Sequence, residues 1–118
     1  MTNLTPDLQY LVSEPVSGVC FVMDYVELHF NGSYLRCLTP PTVARSGTVV
    51  TFPKPGSRDA LCALITVELR LIEATDGEEL RAEFSDGSVL TAPLTTEARA
   101  CPEALHFHNQ ATGETQFW

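Results

Sequence analysis

Basic side chains are scarce in this chain. Six Arg and a single Lys stand against fifteen Asp and Glu, a formal net charge of −8 over 118 residues. That balance excludes a nucleic-acid partner, because binding to phosphates draws its free energy from cations that displace counterions. An anionic membrane surface is disfavoured for the same reason. No apolar run approaches the length that spans a bilayer. Met1 to Asp7 carry neither a basic n-region nor an apolar h-region, so no signal peptide is expected and a cytoplasmic location is. There is no C-x-x-C pair. Cys20, Cys37, Cys62 and Cys101 are widely spaced, which argues against a zinc knuckle and a thioredoxin-like site. They read as reduced thiols, most of them small buried hydrophobes. The motif G-x-S-x-G and the glycine-rich phosphate loops are also missing.

What is present is enough apolar material for a core. Hydrophobic residues make up 44% of the chain, and its length suits one domain over residues 1–118 rather than two. The acid is unevenly placed. Residues 1–64 hold five acids and four bases, whereas residues 65–118 hold ten acids and three bases. The second half therefore carries almost all of the net charge.

Turn chemistry and periodicity set the elements. Thr5, Pro6 and Asp7 form a helix-start signal, with Leu8, Leu11 and Val12 on one face, so a short helix is expected from Pro6 to Val12. Val19 to Met23 is an apolar run of strand type. Asn31-Gly32 signals a two-residue hairpin loop, since a type I′ turn needs positive φ at both central residues. That loop sets Leu28 opposite Leu35, Val26 opposite Cys37, Glu27 opposite Arg36 and His29 opposite Tyr34. One face is then apolar; the other carries an ion pair and a His–Tyr pair. Thr48 to Phe52 reads as a strand and Ser57 as the cap of a helix over Arg58 to Leu64. From Ile65 the period is two, with Ile65, Val67, Leu69 and Leu71 on one side. A three-residue loop at Ser85-Asp86-Gly87 pairs Ala82 with Leu90 and Leu80 with Ala92. Thr95 to Cys101 reads as a helical turn, and Ala104 to His108 and Thr115 to Trp118 as two last strands.

These pieces repeat, about 5–52 and 57–108: Asp7 matches Asp59, Phe30 Phe84, Gly32 Gly87 and Leu35 Leu90. The expected fold is mainly β (α+β), two helix-plus-antiparallel-strand units forming a β-sandwich or a partly closed barrel with two short helices. On Leu61-Cys62-Ala63-Leu64-Ile65-Thr66-Val67, Phe84-Ser85-Asp86-Gly87-Ser88-Val89-Leu90 and the final Trp118, the chain resembles a family of small uncharacterised proteins from high-GC bacteria. Arg in preference to Lys fits such genomes. The resemblance covers nearly the whole chain and implies a fold without a chemistry. Some members of that family are similar to immunity proteins, small cytoplasmic antidotes to secreted toxins.

Chemistry-bearing residues are few. His106 and His108 share a strand face, and His29 is a conceivable third metal ligand. No adjoining Cys or carboxylate pattern completes a site, so a solvated strand face is expected, with Phe107 inside, and no metal or cofactor. No local pattern marks a Cys–His nucleophile. Glu78 and Glu79 point to opposite sides, a poor arrangement for a paired acid and base. Phe117-Trp118 reads as a plug that closes the core. An acidic face of Glu68, Glu73, Asp76, Glu78 and Glu83 is the candidate binding surface, which would steer a basic protein. The first functional reading is therefore a non-enzymatic protein-interaction module, an immunity-type antidote with an acidic face. A small-ligand-binding barrel comes second and a small enzyme third. A homodimer through an edge strand is compatible with all three.

Overall fold

The computed structural model describes residues 8–118. The expected helix start at Thr5, Pro6 and Asp7 lies outside the described residues. Its continuation is a 3-10 turn over Gln9–Leu11, ended by a reversal at Ser13, φ 77°. The remaining elements are β1 (Gly18–Val22), β2 (Tyr25–Phe30), β3 (Ser33–Cys37), β4 (Thr42–Arg45), β5 (Thr48–Thr51), α1 (Ser57–Cys62), β6 (Leu69–Thr75), β7 (Glu79–Phe84), β8 (Val89–Pro93), β9 (Leu105–His108) and β10 (Thr115–Phe117). They form two antiparallel five-stranded sheets, ordered β1-β2-β3-β9-β10 and β5-β4-β8-β7-β6. Among the described residues both sheets are open, and neither closes into a barrel.

The two hairpins adopt the expected registers. Asn31 and Gly32 have φ of 53° and 104°, and Leu28 faces Leu35 while Glu27 faces Arg36. At the other hairpin Gly87 has φ 90°, and Ala82 faces Leu90. Each of these hairpins extends to a third strand. The sheets are then completed by exchange: β9 and β10 join β3, while β4 and β5 join β8. Moving every strand five places along the chain converts one sheet's order into the other's. The exchange has local counterparts too. Phe52 N–H donates to the Pro41 carbonyl and Trp118 N–H to that of Leu105, each at 2.9 Å. One core holds inward residues of both sheets, among them Leu28, Phe30, Leu35 and Phe107 with Ile72, Leu80, Phe84 and Leu90. Leu8 and Leu11 from the first turn and Leu61 and Leu64 around α1 are also fully buried in it.

Several local expectations are corrected. The helix begins at Ser57 and ends at Cys62; Gly56 occupies the cap position at φ 89° and no side chain caps it. Ser57 is buried instead. Strand β6 starts at Leu69 rather than Ile65, because Thr66 takes φ 78° and residues 65–67 turn to bond with Val16. A bulge between Leu69 and Leu71 then reverses the face: Leu71 lies outward opposite Glu83, and Ile72 is inward. An extra residue in one strand always shifts the following side chains to the other face. Thr42–Arg45 forms a strand that local sequence does not announce. Residues 95–101 form turns, held by Arg99, whose Nη1 and Nη2 donate to the carbonyls of Pro102 and Leu94. Three of the four cysteines, Cys20, Cys62 and Cys101, are exposed; only Cys37 is the buried thiol expected. Among the described residues no helix is long and apolar enough to cross a membrane.

Candidate functional site

The outward face of the first sheet collects the chain's histidines. Strand pairing places Cys20, Glu27, Arg36, His106 and Phe117 in one row across the five strands. The next row is Gly18, His29, Tyr34, His108 and Thr115. The two pairs expected from the hairpin, Glu27–Arg36 and His29–Tyr34, form the middle of this array. What sequence reasoning missed is that β9 pairs with β3, so that His106 and His108 extend those rows.

Glu27, Arg36 and His106 of the first row form a continuous polar network with His29, Tyr34 and Glu103. Arg36 donates from Nε to Glu27 Oε2 at 2.7 Å, and His29 Nε2 donates to Glu27 Oε1 at 3.0 Å. Arg36 Nη1 lies 3.2 Å from His106 Nδ1, and Nη2 lies 3.4 Å from the Tyr34 hydroxyl. A guanidinium only donates. His106 Nδ1 is therefore the acceptor, which places the ring proton on Nε2. From there it is donated to Glu103 Oε1 at 2.8 Å. The guanidinium carbon of Arg36 also sits 5.0 Å from the Tyr34 ring centre and 5.7 Å from that of Tyr25. The sequence spacing of one strand partner per row thus becomes a rigid cross-strand lattice.

Electrostatics follow from this geometry. Burial pushes the Glu27 carboxyl up, but the hydrogen bonds from Arg36 and His29, with their charges, outweigh it and hold the group below the ordinary carboxylate range. Burial works against the Arg36 charge in the same way, and Glu27 more than offsets it. On the opposite side of the sheet, full burial pushes the Cys37 thiol up to about 12, so it is inert.

Three rings of the second row lie side by side across the strands. His29 and Tyr34 have centres 5.6 Å apart, and Tyr34 and His108 stack at 5.2 Å with 21° between planes. Neighbouring strands lie about 4.8 Å apart, so side-by-side rings at this spacing cover one another's faces. Such a surface leaves few flat platforms for stacked bases or sugars. His108 Nδ1 shares a 3.0 Å hydrogen bond with Thr115, and the Phe117 and His106 rings meet edge to face with centres 4.7 Å apart.

The acidic residues singled out from sequence lie elsewhere, on or beside β6 and β7. Glu73, Asp76, Glu78 and Glu79 are exposed around the hairpin that joins these strands. Arg81 faces Glu73 across the pair and donates from Nε to Glu83 at 2.9 Å. Glu68 is exposed at the far end of β6, beyond Leu69, so it is not grouped with Asp76 and Glu78. Among the described residues no three His, Cys, Asp or Glu side chains are placed to hold a metal ion. His29 and His108 are separated by Tyr34, and Arg36 occupies one nitrogen of His106. A small hollow open to solvent lies beside the β9–β10 turn and is lined by Phe107, Asn109, Thr112, Glu114 and Gln116. No family model, curated protein or solved structure matches the chain.

Proposed function

We propose that the protein is a non-catalytic protein-interaction module whose binding centre is the outer face of the first sheet. The observation that supports this reading is a contrast between the two sheets. The row Cys20, Glu27, Arg36, His106, Phe117 has its counterpart in strand order in Glu73, Arg81, Thr91, Thr42, Thr51. The row of His29, Tyr34 and His108 has its counterpart in Glu83, Val89 and Ala44. One topology thus carries an ordinary threonine-rich exterior on one side and a pre-ordered set of Arg, Tyr, His and Phe on the other. Those residue types dominate the energetics of protein interfaces, and rigid side chains lose little entropy on binding.

The partner is a basic protein. The acids of residues 73–79 supply the long-range field that steers it, and Glu27 and Glu103 supply negative charge at the centre. In this reading the two sheets pack face to face as a sandwich of two repeated units that have exchanged their last two strands. The module works in the cytoplasm as an immunity-type antidote, in line with the family resemblance.

The test is capture of partners on the immobilised protein, followed by kinetics on each. Replacing Glu73, Asp76 and Glu78 with Gln, Asn and Gln should slow association and weaken its dependence on salt, since exposed charges act mainly on the on-rate. A Tyr34→Ala, Arg36→Ala variant should dissociate at least about tenfold faster, the effect of losing one interfacial anchor. Partners that are acidic, or whose dissociation is unchanged by the Tyr34 and Arg36 substitutions, would overturn the proposal.

A further inference from the structure

We propose that the face of the first sheet is a proton-responsive device in which His106 sets the position of Arg36 and Phe117. The proposal concerns regulation of the binding face described above; its biological meaning rests on that reading, but its physical test does not.

The argument starts from the tautomer. His106 Nδ1 can accept from Arg36 Nη1 at 3.2 Å only while it holds a lone pair. A second proton on the ring goes to that nitrogen and to no other, because Nε2 already carries one and donates it to Glu103. The proton converts a hydrogen bond into two opposed N–H groups and sets an imidazolium against a guanidinium. Arg36 then has Glu27, the Tyr34 hydroxyl and the rings of Tyr25 and Tyr34 as its remaining partners, all on the β2 and β3 side. The guanidinium is drawn away from β9. His106, in turn, is held by Glu103 on its own strand side, so the two groups separate across the β3–β9 pair. Phe117 rests against the His106 ring from β10 and moves with it.

The other titratable groups on this face respond differently. His29 on β2 already donates to the Glu27 carboxylate, so its second proton adds attraction to Glu27 and opposes no cation. His108 on β9 bonds Thr115 and stacks on Tyr34, with no carboxylate or guanidinium in contact. Cys20 on β1 lies beyond Glu27 in the same row, and no hydrogen bond joins it to this network. Of the three imidazoles, His106 alone has a proton that opposes a cation. A face that binds through Arg36 at neutral pH therefore loses that arrangement when His106 is charged.

The experiment is ¹H–¹⁵N spectroscopy of histidine and arginine side chains on the free, intact protein across about pH 5 to 8, the range in which imidazoles titrate. At the upper end His106 should show an unprotonated Nδ1 and a protonated Nε2. On acidification the Arg36 Nε–H and Phe117 ring signals should move together with the His106 ring signals. In a His106→Gln variant the Arg36 transition should vanish. An Nδ1–H tautomer for His106, or an Arg36 signal that stays flat through the His106 titration, overturns the proposal; both readouts come from the unmodified chain, so a poorly folding variant leaves the test intact. A captured partner separates this proposal from the functional one. Arg36 movement with pH-indifferent dissociation of the partner supports the switch and removes the binding centre from this face.

Discussion

Trp118 and Phe117 are neighbours with opposite environments, and replacing each with Ala tests how the fold closes. Trp118 is 8% exposed and belongs to the common core, whereas Phe117 is 52% exposed. Burying an indole removes about 150–250 Å² from water; at ~25 cal/mol per Å² that is about 4–6 kcal/mol, an upper bound because the unfolded chain is not fully extended. Core aromatic truncations cost about 3–5 kcal/mol, so the two routes agree. Trp118→Ala should therefore lower stability by about 3–5 kcal/mol, against a total of about 5–15 kcal/mol for a domain of this kind. Phe117→Ala should lose less than about 1 kcal/mol. Its ring gives up only an edge contact with His106 and partial burial. Urea denaturation followed by circular dichroism reads both variants, and in Phe117→Ala the single tryptophan remains as a second probe. Comparable losses in the two variants would refute the assignment of Trp118 as the plug, as would an unchanged midpoint for Trp118→Ala.

The Glu27 carboxyl is held below its ordinary range, so its contribution is present above the unfolded value of about 4.3 and is lost as pH falls through the folded value. Glu27→Gln should cost about 1–3 kcal/mol at neutral pH, and denaturation at a series of pH values should show the gap to wild type closing below about pH 4.3; a gap that is constant down to pH 3 would count against the pairing. Thiol accessibility gives an independent check of the core. Alkylation of the native protein, read by mass spectrometry, should label Cys20, Cys62 and Cys101 and spare Cys37 until denaturant is added. Native labelling of Cys37 at the rate of the other three would show that the β2–β3 inner face is not packed as described.

The parts of this fold that were legible in the sequence are those governed by short range. Asn31-Gly32 fixes loop length, loop length fixes register, and register fixes which side chains share a face. Glu27–Arg36 and His29–Tyr34 follow from four or five residues on each side of one turn. Gly87 does the same for β7 and β8. The failures have equally specific causes. A period of two carried through Arg70 sets Leu71 inward, but the strand bulges there. Cys20 sits in an apolar run, and a run without alternation does not say which side chains face out; its partner Glu27 does. Strand β4 has four residues between a pair of prolines and a turn, and its pairing with β8 joins positions nearly fifty residues apart. Half of the candidate site was invisible for the same reason. Nothing near His106 indicates that its strand will lie beside Arg36.

That missing half also explains where the candidate site sits. The exchange of strands makes β3 and β9 neighbours, and this junction is where the first part of the chain meets the second within the sheet. The Arg36–His106 contact crosses it, as does the Tyr34–His108 stack. The matching junction of the other sheet, between β4 and β8, pairs Thr42 with Thr91 and Ala44 with Val89. Among the described residues the only ion pair beside that junction is the more exposed Arg45–Asp86 contact, 3.6 Å at its turn end, so the more buried lattice on the first sheet is more than such a junction requires. A partly buried charge pair costs desolvation that apolar or hydroxyl side chains avoid. On the proposed reading, the partly buried lattice reflects what that face meets rather than what holds the sheet together. Because each sheet borrows two strands, neither half of the chain can present the lattice alone. The lattice then needs both halves of the chain, and on the proposed reading a partner that recognises Arg36 in this setting recognises only the folded protein.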